Sequence, residues 1–180
     1  MLQAQIKYCR TCGAVVSYRV PQDDNRERAC CSACGTVHYQ NPLNVVGTLP
    51  VWEDKVLLCR RNIEPRSGFW TLPAGFMELG ETTAEGAERE TVEEAGARIE
   101  LLGLYTVLNV ACVGQVHLYY RARLLDPHLD PGPETVEAAL FSENEIPWGD
   151  LAFSTVRHTL ELFFNDRRRG QFPVHSADID

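Results

Sequence analysis

No stretch of the 180-residue sequence is apolar for the ~20 residues that a membrane-spanning helix needs. The opening residues, MLQAQIKYC, carry neither the apolar core of a secretory signal nor the arginine- and serine-rich character of a transit peptide. A net positive charge is also missing: 17 Lys and Arg stand against 25 Asp and Glu, which gives −8. That balance argues against a nucleic-acid partner and against an anionic membrane surface. No internal repeat and no low-complexity tract is present. A cytoplasmic location is expected, with one medium domain or a domain plus a small module. Hydrophobic residues make up 44% of the chain, enough to fill a core.

Cysteine is not scarce, but its seven copies are an odd number with no export signal before them. That favours metal binding in a reducing compartment over a disulfide framework. Cys9-Arg-Thr-Cys12-Gly13 and Cys31-Ser-Ala-Cys34-Gly35 form two C-x2-C-G knuckles, 18 residues apart. Each glycine opens a tight turn that points two sulfurs at one tetrahedral ion, as in a structural Zn²⁺ site. A redox C-x-x-C would normally come once, beside a βαβ pattern. Cys30 could replace Cys31, but the spacing selects Cys31. A ribbon of some 35 residues buries little core, so the metal would supply much of its folding energy. Cys59 and Cys112 lie in apolar runs and are expected in the core. His38 reads as a surface histidine rather than a ligand.

Gln40-Asn41-Pro42 is the junction, because Pro42 holds Asn41 extended. Residues 1–40 are therefore assigned to the ribbon and 41–180 to a second domain. Strands are expected over 45–51 and 55–59, joined by a turn at Glu53-Asp54. Arg60 and Arg61 are either surface charge or contacts to an anionic substrate. Trp70, just before a glycine-rich turn, is either a stacking surface for a base or part of the core. Further strands are expected over 98–109, 115–124 and 140–141, with His117 a satisfied strand histidine. The last helix is expected at 154–169, with Val156, Leu160, Phe163 and Phe164 inward. Arg167 to Arg169 complement the dipole of its last turn and Gly170 ends it. The tail from His175 onward is expected to be loose.

The chain is organised around residues 75–97, GFMELGETTAEGAERETVEEAGA. Thr82 and Glu85 have capping-box spacing, and Gly96 suits the end of the helix. Ala84, Ala87, Thr91 and Ala95 form one small-residue face that should lie close on a sheet. Glu90 and Glu94 stack one turn apart, with Glu93 about 60° round from Glu90. Oxygen-only ligands without nearby His or Cys suit Mg²⁺ or Mn²⁺. Arg89 can pair with Glu93 or reach back to Glu81. A bare run of glutamates is usually a solvated helix face, and only the whole spaced pattern overrides that reading.

The pattern resembles the Nudix box, G-x5-E-x7-R-E-U-x-E-E-x-G-U with U a bulky aliphatic. Gly75, Glu81, Arg89, Glu90, Glu93, Glu94 and Gly96 fill every fixed position. At roughly 6–7% usage per residue type, seven such matches arise by chance on the order of once in 10⁸ start points. Thr91 and Ala97 stand where bulky aliphatics are expected, which concerns helix seating rather than chemistry. Beyond the box, both knuckles, YQNP (39–42), VLLCRRNI (56–63), GFWTLPAGFMELGE (68–81), PGPET (131–135) and LAFST (151–155) look like plant chloroplast-type Nudix pyrophosphatases of FAD and ADP-ribose. Ala111-Cys112 departs from the proline that many ADP-ribose-cleaving relatives carry some fifteen residues after the box.

The resemblance implies an α/β/α sandwich with a mixed sheet, preceded by the ribbon. It implies hydrolysis of a nucleoside diphosphate derivative with release of AMP, and a small-molecule nucleotide as partner. Glu90 and Glu94, with Glu93 beside them and the Gly75 carbonyl, would hold the Mg²⁺ or Mn²⁺, and Arg89 and Glu81 would orient them. Glu134 or Glu137 would activate the water. A homodimer follows by the same analogy. Two rivals stand beside this reading. NADH pyrophosphatases share the ribbon but carry a Ser-Gln-Pro-Trp-Pro-Phe-Pro stretch that has no counterpart here. Nucleotide-sensing Nudix proteins often have a broken box, and this one is whole.

Overall fold

The computed structural model describes residues 5–179, in two compact units, Met1–Pro42 and Leu43–Asp180. The first is a zinc ribbon. Strands β1 (Val16–Arg19), β2 (Arg28–Cys31) and β3 (Val37–His38) form an antiparallel sheet in that order. The two knuckles repeat one turn. The Gly13 amide donates to the Cys9 carbonyl at 2.9 Å, and the Gly35 amide donates to the Cys31 carbonyl at 3.0 Å. Both glycines sit at φ 75°, a left-handed conformation that costs glycine nothing. Among the described residues of this unit only Cys9, Ala29, Cys30 and Cys31 are buried, so no apolar core holds it.

The second unit is built on one mixed sheet. Its strands are β4 (Leu43–Trp52), β5 (Lys55–Arg61), β6 (Trp70–Thr71), β7 (Ala74–Phe76), β8 (Ile99–Val110), β9 (Gln115–Leu124), β10 (Thr135–Phe141) and β11 (His175–Asp178). The order is β10-β5-β4-β9-β8-β11, with β6 on β5 and β7 on β4. β4 runs parallel to β9 and β11 parallel to β8; the other pairs are antiparallel. Helix α1 (Thr83–Ala95) and helix α2 (Ser154–Arg169) cover the two faces, giving the α/β/α sandwich.

Strand β5 shows why both faces need a helix. Val56, Leu57, Leu58 and Cys59 are all buried, as in a strand covered on both sides. Val56 and Leu58 join Leu49, Leu72, Tyr105 and Tyr119 under α2, whose Val156, Leu160, Phe163 and Phe164 close that core. Leu57 and Cys59 join Ala122, Leu124 and Ile99, beside Ala95 at the end of α1 and Ala97 just after it. Trp70 packs into the first core, edge-on to Phe141 with ring centroids 4.9 Å apart.

Helix α1 starts at a complete capping box. The Glu85 amide donates to Thr82 Oγ1 at 3.2 Å, and the Thr82 amide donates to the Glu85 carboxylate at 2.8 Å. The helix ends at Gly96, φ 60°. Its buried residues are Gly86, Ala87, Thr91, Glu94 and Ala95. A Cβ on Gly86 would overlap Val46 and Glu81, so the helix can sit this close to β4 only with glycine there. Thr91 seats fully buried and its hydroxyl meets that of Thr48 at 2.6 Å. The bulky aliphatic that the box pattern expects is thus replaced by a hydroxyl pair.

Several expectations change. The tail is not loose: residues 175–178 form β11. His175 Nε2 lies 2.6 Å from Asp166 Oδ2, and Asn109 Nδ2 donates to Asp178 Oδ1 at 2.9 Å. Cys112 is exposed, because it lies in the turn between β8 and β9 and not in a strand. β10 runs from Thr135 rather than Leu140, since β5 offers it a full-length partner. His117 is only half satisfied. Its Nε2 lies 2.9 Å from Gln115 Oε1, while Nδ1 is buried without a hydrogen-bonding group, and burial brings the ring's pKa down to about 4.

Thr91→Val removes one member of the buried hydroxyl pair. It is expected to cost about 1–3 kcal/mol in chemical denaturation, and Thr48→Val together with Thr91→Val should recover most of that loss.

Candidate functional site

The site begins with β7, which pairs with β4 so that Gly75 lies opposite Val46. The polypeptide then turns through residues 77–82 into α1. This brings the third and fourth turns of the helix, with Glu90 and Glu94, back over β7. A Cβ on Gly75 would overlap the Glu90 carboxylate, so that carboxylate lies directly on the Gly75 backbone. Glu94 Oε2 accepts from the Ala74 amide at 3.2 Å. The sequence pattern thus places two acidic side chains from one helix flank on one short strand.

Arg89 ties the group together. Its Nε donates to Glu81 Oε2 at 3.0 Å and its second terminal nitrogen to Glu81 Oε1 at 2.9 Å, a two-pronged bond. The same nitrogen donates to the Phe76 carbonyl at 3.1 Å. The other terminal nitrogen donates to Glu90 Oε1 at 2.7 Å and to Glu93 Oε2 at 3.1 Å. Both pairings open in the sequence, Glu81 and Glu93, are made at once. Glu81 is held further by the Glu78 amide at 2.7 Å.

The charges are unevenly settled. Hydrogen bonds from Arg89, then from the Glu78 amide, bring the Glu81 pKa from 4.5 to about 2. Burial raises the pKa of Glu90, against the pull of Arg89, and Glu93 and Glu134 add to the rise. Burial likewise pushes Glu94 up to about 8, with repulsion from Glu90 and Glu134 added. Two carboxylates therefore sit partly desolvated, Glu90 with a share of Arg89 and Glu94 with only a coulombic offset from Arg61. Such a pair, with only oxygen donors about it, fits a hard divalent cation.

The remaining candidates divide. Glu134, exposed on the loop before β10, acts electrostatically on both Glu90 and Glu94. Arg61 offsets Glu94 from the end of β5, with its guanidinium over the Phe153 ring at 5.2 Å and its Nε donating to the Pro65 carbonyl. Glu137 lies instead opposite Arg60, 4.0 Å away, and Arg60 Nε donates to the Gly68 carbonyl. The backbone groups at Ala74 and Phe76 carry no sequence signal, and only the fold reveals them.

In the ribbon the sulfurs of Cys9, Cys12, Cys31 and Cys34 all lie within 4.8 Å of one another. Cys9 and Cys34 are 3.6 Å apart and Cys12 and Cys31 3.5 Å. A tetrahedron with 2.3 Å Zn–S bonds has edges of about 3.8 Å. Cys30 turns away toward the Arg28 and Arg19 carbonyls. His38 is not a free surface histidine: its Nε2 lies 3.3 Å from Cys9 Sγ. Burial opposes a Cys9 thiolate, but the Cys12 amide, His38, the Thr11 amide and Cys34 outweigh it and bring its pKa to about 5. No local spacing marks His38 as a partner of Cys9, because the contact depends on the pairing of β3 with β2.

Fold and carboxylate cluster define a hydrolase of the α/β/α class. A family model described as NUDIX domain matches residues 42–162, and one described as Nudix N-terminal matches residues 7–40. The chain belongs to the Nudix family of pyrophosphate hydrolases, with a zinc ribbon before the catalytic domain. A solved NUDIX hydrolase from Nitrosomonas europaea is 48% identical with a TM-score of 0.94, covering 97% of this chain and 99% of that one. An ADP-ribose pyrophosphatase of Methanocaldococcus jannaschii is 33% identical over 119 residues, 64% of this chain and 69% of that protein. An NAD-capped RNA hydrolase, NudC, of Pseudomonas aeruginosa is 27% identical over 171 residues, 93% of this chain. The chain spans 59% of that relative's length.

Two outcomes follow. Glu81's pKa is depressed in the folded state, so its stabilisation is full above pH 4.5 and is lost as pH falls toward 2. Arg89→Lys cannot reproduce the two-pronged bond. Followed by circular dichroism, it should therefore unfold at a higher pH than the parent during acid titration. In the ribbon, His38→Ala should speed loss of bound zinc to a chelator by about 10-fold.

Proposed function

We propose that the protein hydrolyses the pyrophosphate bond of a nucleoside diphosphate derivative, ADP-ribose or FAD, and releases AMP. The observation that carries this is the pair of partly desolvated carboxylates, Glu90 and Glu94, laid on the backbone of β7, where Arg89, shared with Glu81 and Glu93, and Arg61 only partly offset their charge. Glu90 and Glu94, with Glu93 at the flank and the Gly75 carbonyl, would hold Mg²⁺ or Mn²⁺. When bound, the cation supplies charge neutralisation at the phosphates and lowers the pKa of water. Arg89 and Glu81 keep the carboxylates in register. Glu134 takes the proton from the attacking water, which adds to one phosphorus as the second phosphate leaves with its nucleoside or sugar. From ADP-ribose the products are AMP and ribose 5-phosphate; from FAD they are AMP and FMN. Phosphoryl transfer depends on positioning and charge more than on covalent chemistry.

Arg61, which already offsets Glu94, is assigned to the substrate pyrophosphate. Arg60 and Glu137 pair with each other, and Trp70 supports the core. Cys9, Cys12, Cys31 and Cys34 hold a structural Zn²⁺. A second reading has one specific support. The match to the NAD-capped RNA hydrolase runs over both units of this chain, whereas that to the ADP-ribose pyrophosphatase covers 64%. On that reading a dinucleotide of the NAD type is cleaved to AMP and nicotinamide mononucleotide.

Purified protein is incubated with Mg²⁺ or Mn²⁺ and ADP-ribose, FAD, NADH, CoA or nucleoside triphosphates, and products are separated by chromatography. AMP is expected from ADP-ribose or FAD, with Glu94→Gln slower by at least about 100-fold. Reduced nicotinamide mononucleotide, formed with AMP from NADH as the dominant reaction, would select the second reading. Wild type and Glu94→Gln equally inert, with nucleotide still bound, would overturn catalysis in favour of sensing.

A further inference from the structure

The segment bearing Glu134 is fastened on two sides. On one side it docks on the end of α1. The Asp130 amide donates to the Ala95 carbonyl at 2.9 Å, and the Gly132 amide reaches the Glu94 carbonyl at 3.4 Å. A Cβ on Gly132 would overlap the Glu93 carbonyl, and one on Gly96 would overlap the Asp130 carbonyl. On the other side lies Asn62, the residue after β5. Its backbone amide donates to the Glu134 carbonyl at 2.8 Å, and its side-chain Nδ2 donates to the Pro133 carbonyl at 2.9 Å. The Thr135 amide then donates to the Gly132 carbonyl at 3.0 Å and closes the turn.

The two Asn62 bonds differ in kind. The backbone bond extends the β5–β10 ladder, in which Thr135 pairs with Arg61, and any residue could make it. The side-chain bond needs an amide donor of this length. It grips the peptide unit between Pro133 and Glu134, immediately before the Glu134 Cα. Pro131 and Pro133 have no amide hydrogen of their own to tie the loop. Pro133 also fixes its own φ, so anchoring its carbonyl sets the direction in which the next side chain leaves the backbone.

We propose that Asn62 is a positioning residue for the reaction: its side-chain amide, bonded to the Pro133 carbonyl, aims the Glu134 carboxylate at the Glu90–Glu94 pair. This rests on the reading of Glu134 as the group that takes the water's proton. Asn62 touches neither substrate nor metal ligand in this role. It acts only through Glu134.

The test is a four-way cycle of wild type, Asn62→Ala, Glu134→Gln and the double variant. Each is assayed with Mg²⁺ on whichever substrate the panel identifies. Asn62→Ala should lower kcat by roughly 10- to 100-fold with KM and the metal requirement unchanged. In the Glu134→Gln background the same substitution should lower kcat no further, because the residue it positions has lost its function. Asn62→Asp, equal in size but without the donor, should behave as Asn62→Ala does, and thermal melting checks that both are folded. If Glu134→Gln slows the enzyme while Asn62→Ala and Asn62→Asp do not, or if the two losses multiply, the inference fails and the catalytic reading stands. If Glu134→Gln leaves kcat intact, the assignment of Glu134 fails and this inference with it.

Discussion

One guanidinium organises this molecule. Arg89 reaches Glu81 from the turn, Glu90 and Glu93 from its own helix, and the Phe76 carbonyl at the end of β7. Without it the acidic side chains of the turn and helix would have only the Glu78 and Ala74 amides as partners here. With it three carboxylates share a single positive charge, and Glu94 and Glu134 remain beside them. Where these carboxylates are desolvated, as Glu90 and Glu94 are, their repulsion exceeds that of like charges on a solvated helix surface. One arginine therefore orders the cluster but cannot neutralise it. The residual charge is what would give the proposed divalent cation its place.

That electrostatic arrangement depends on close backbone approach. The Glu90 carboxylate can lie on β7 because position 75 has no side chain, and α1 can lie on β4 because position 86 has none. The same helix spends one buried position on Thr91, whose hydroxyl is absorbed by Thr48 and by the Ala87 carbonyl at 2.8 Å. Packing and chemistry are thus coupled. The features that bring helix and strand together also bring acids and peptide groups together.

The parts legible in the sequence were those written in local periodicity. The capping box at Thr82 and Glu85, the stop at Gly96, the inward face of α2 and the paired knuckles all follow from spacing over a few residues. Contacts made across the fold left no such trace. The strands expected over 98–109 and 115–124 leave Cys112 in their connection, but its apolar neighbours do not tell a buried position from an exposed one. The polar tail carries no strand pattern. It becomes β11 only because β8 offers an edge and Asp166 receives His175. Arg60 and Arg61 are neighbours in sequence, yet one meets Glu137 and the other offsets Glu94. His38 lies beside Cys9 because the short β3 pairs with β2 and returns it there, a long-range closure that composition does not encode.

The last strand has a consequence of another kind. β8 is twelve residues long, and without β11 its outer rim would offer unpaired amides and carbonyls to any passing chain. Residues 175–178 cover Thr106 to Asn109, and the Ile179 amide adds a bond to the Asn109 carbonyl. Four polar residues, HSAD, thus act as a guard rail along that margin of the sheet. A protein shortened by those few residues would keep its acidic cluster and still bare that margin of the sheet, so its tendency to self-associate would be decided far from the cluster.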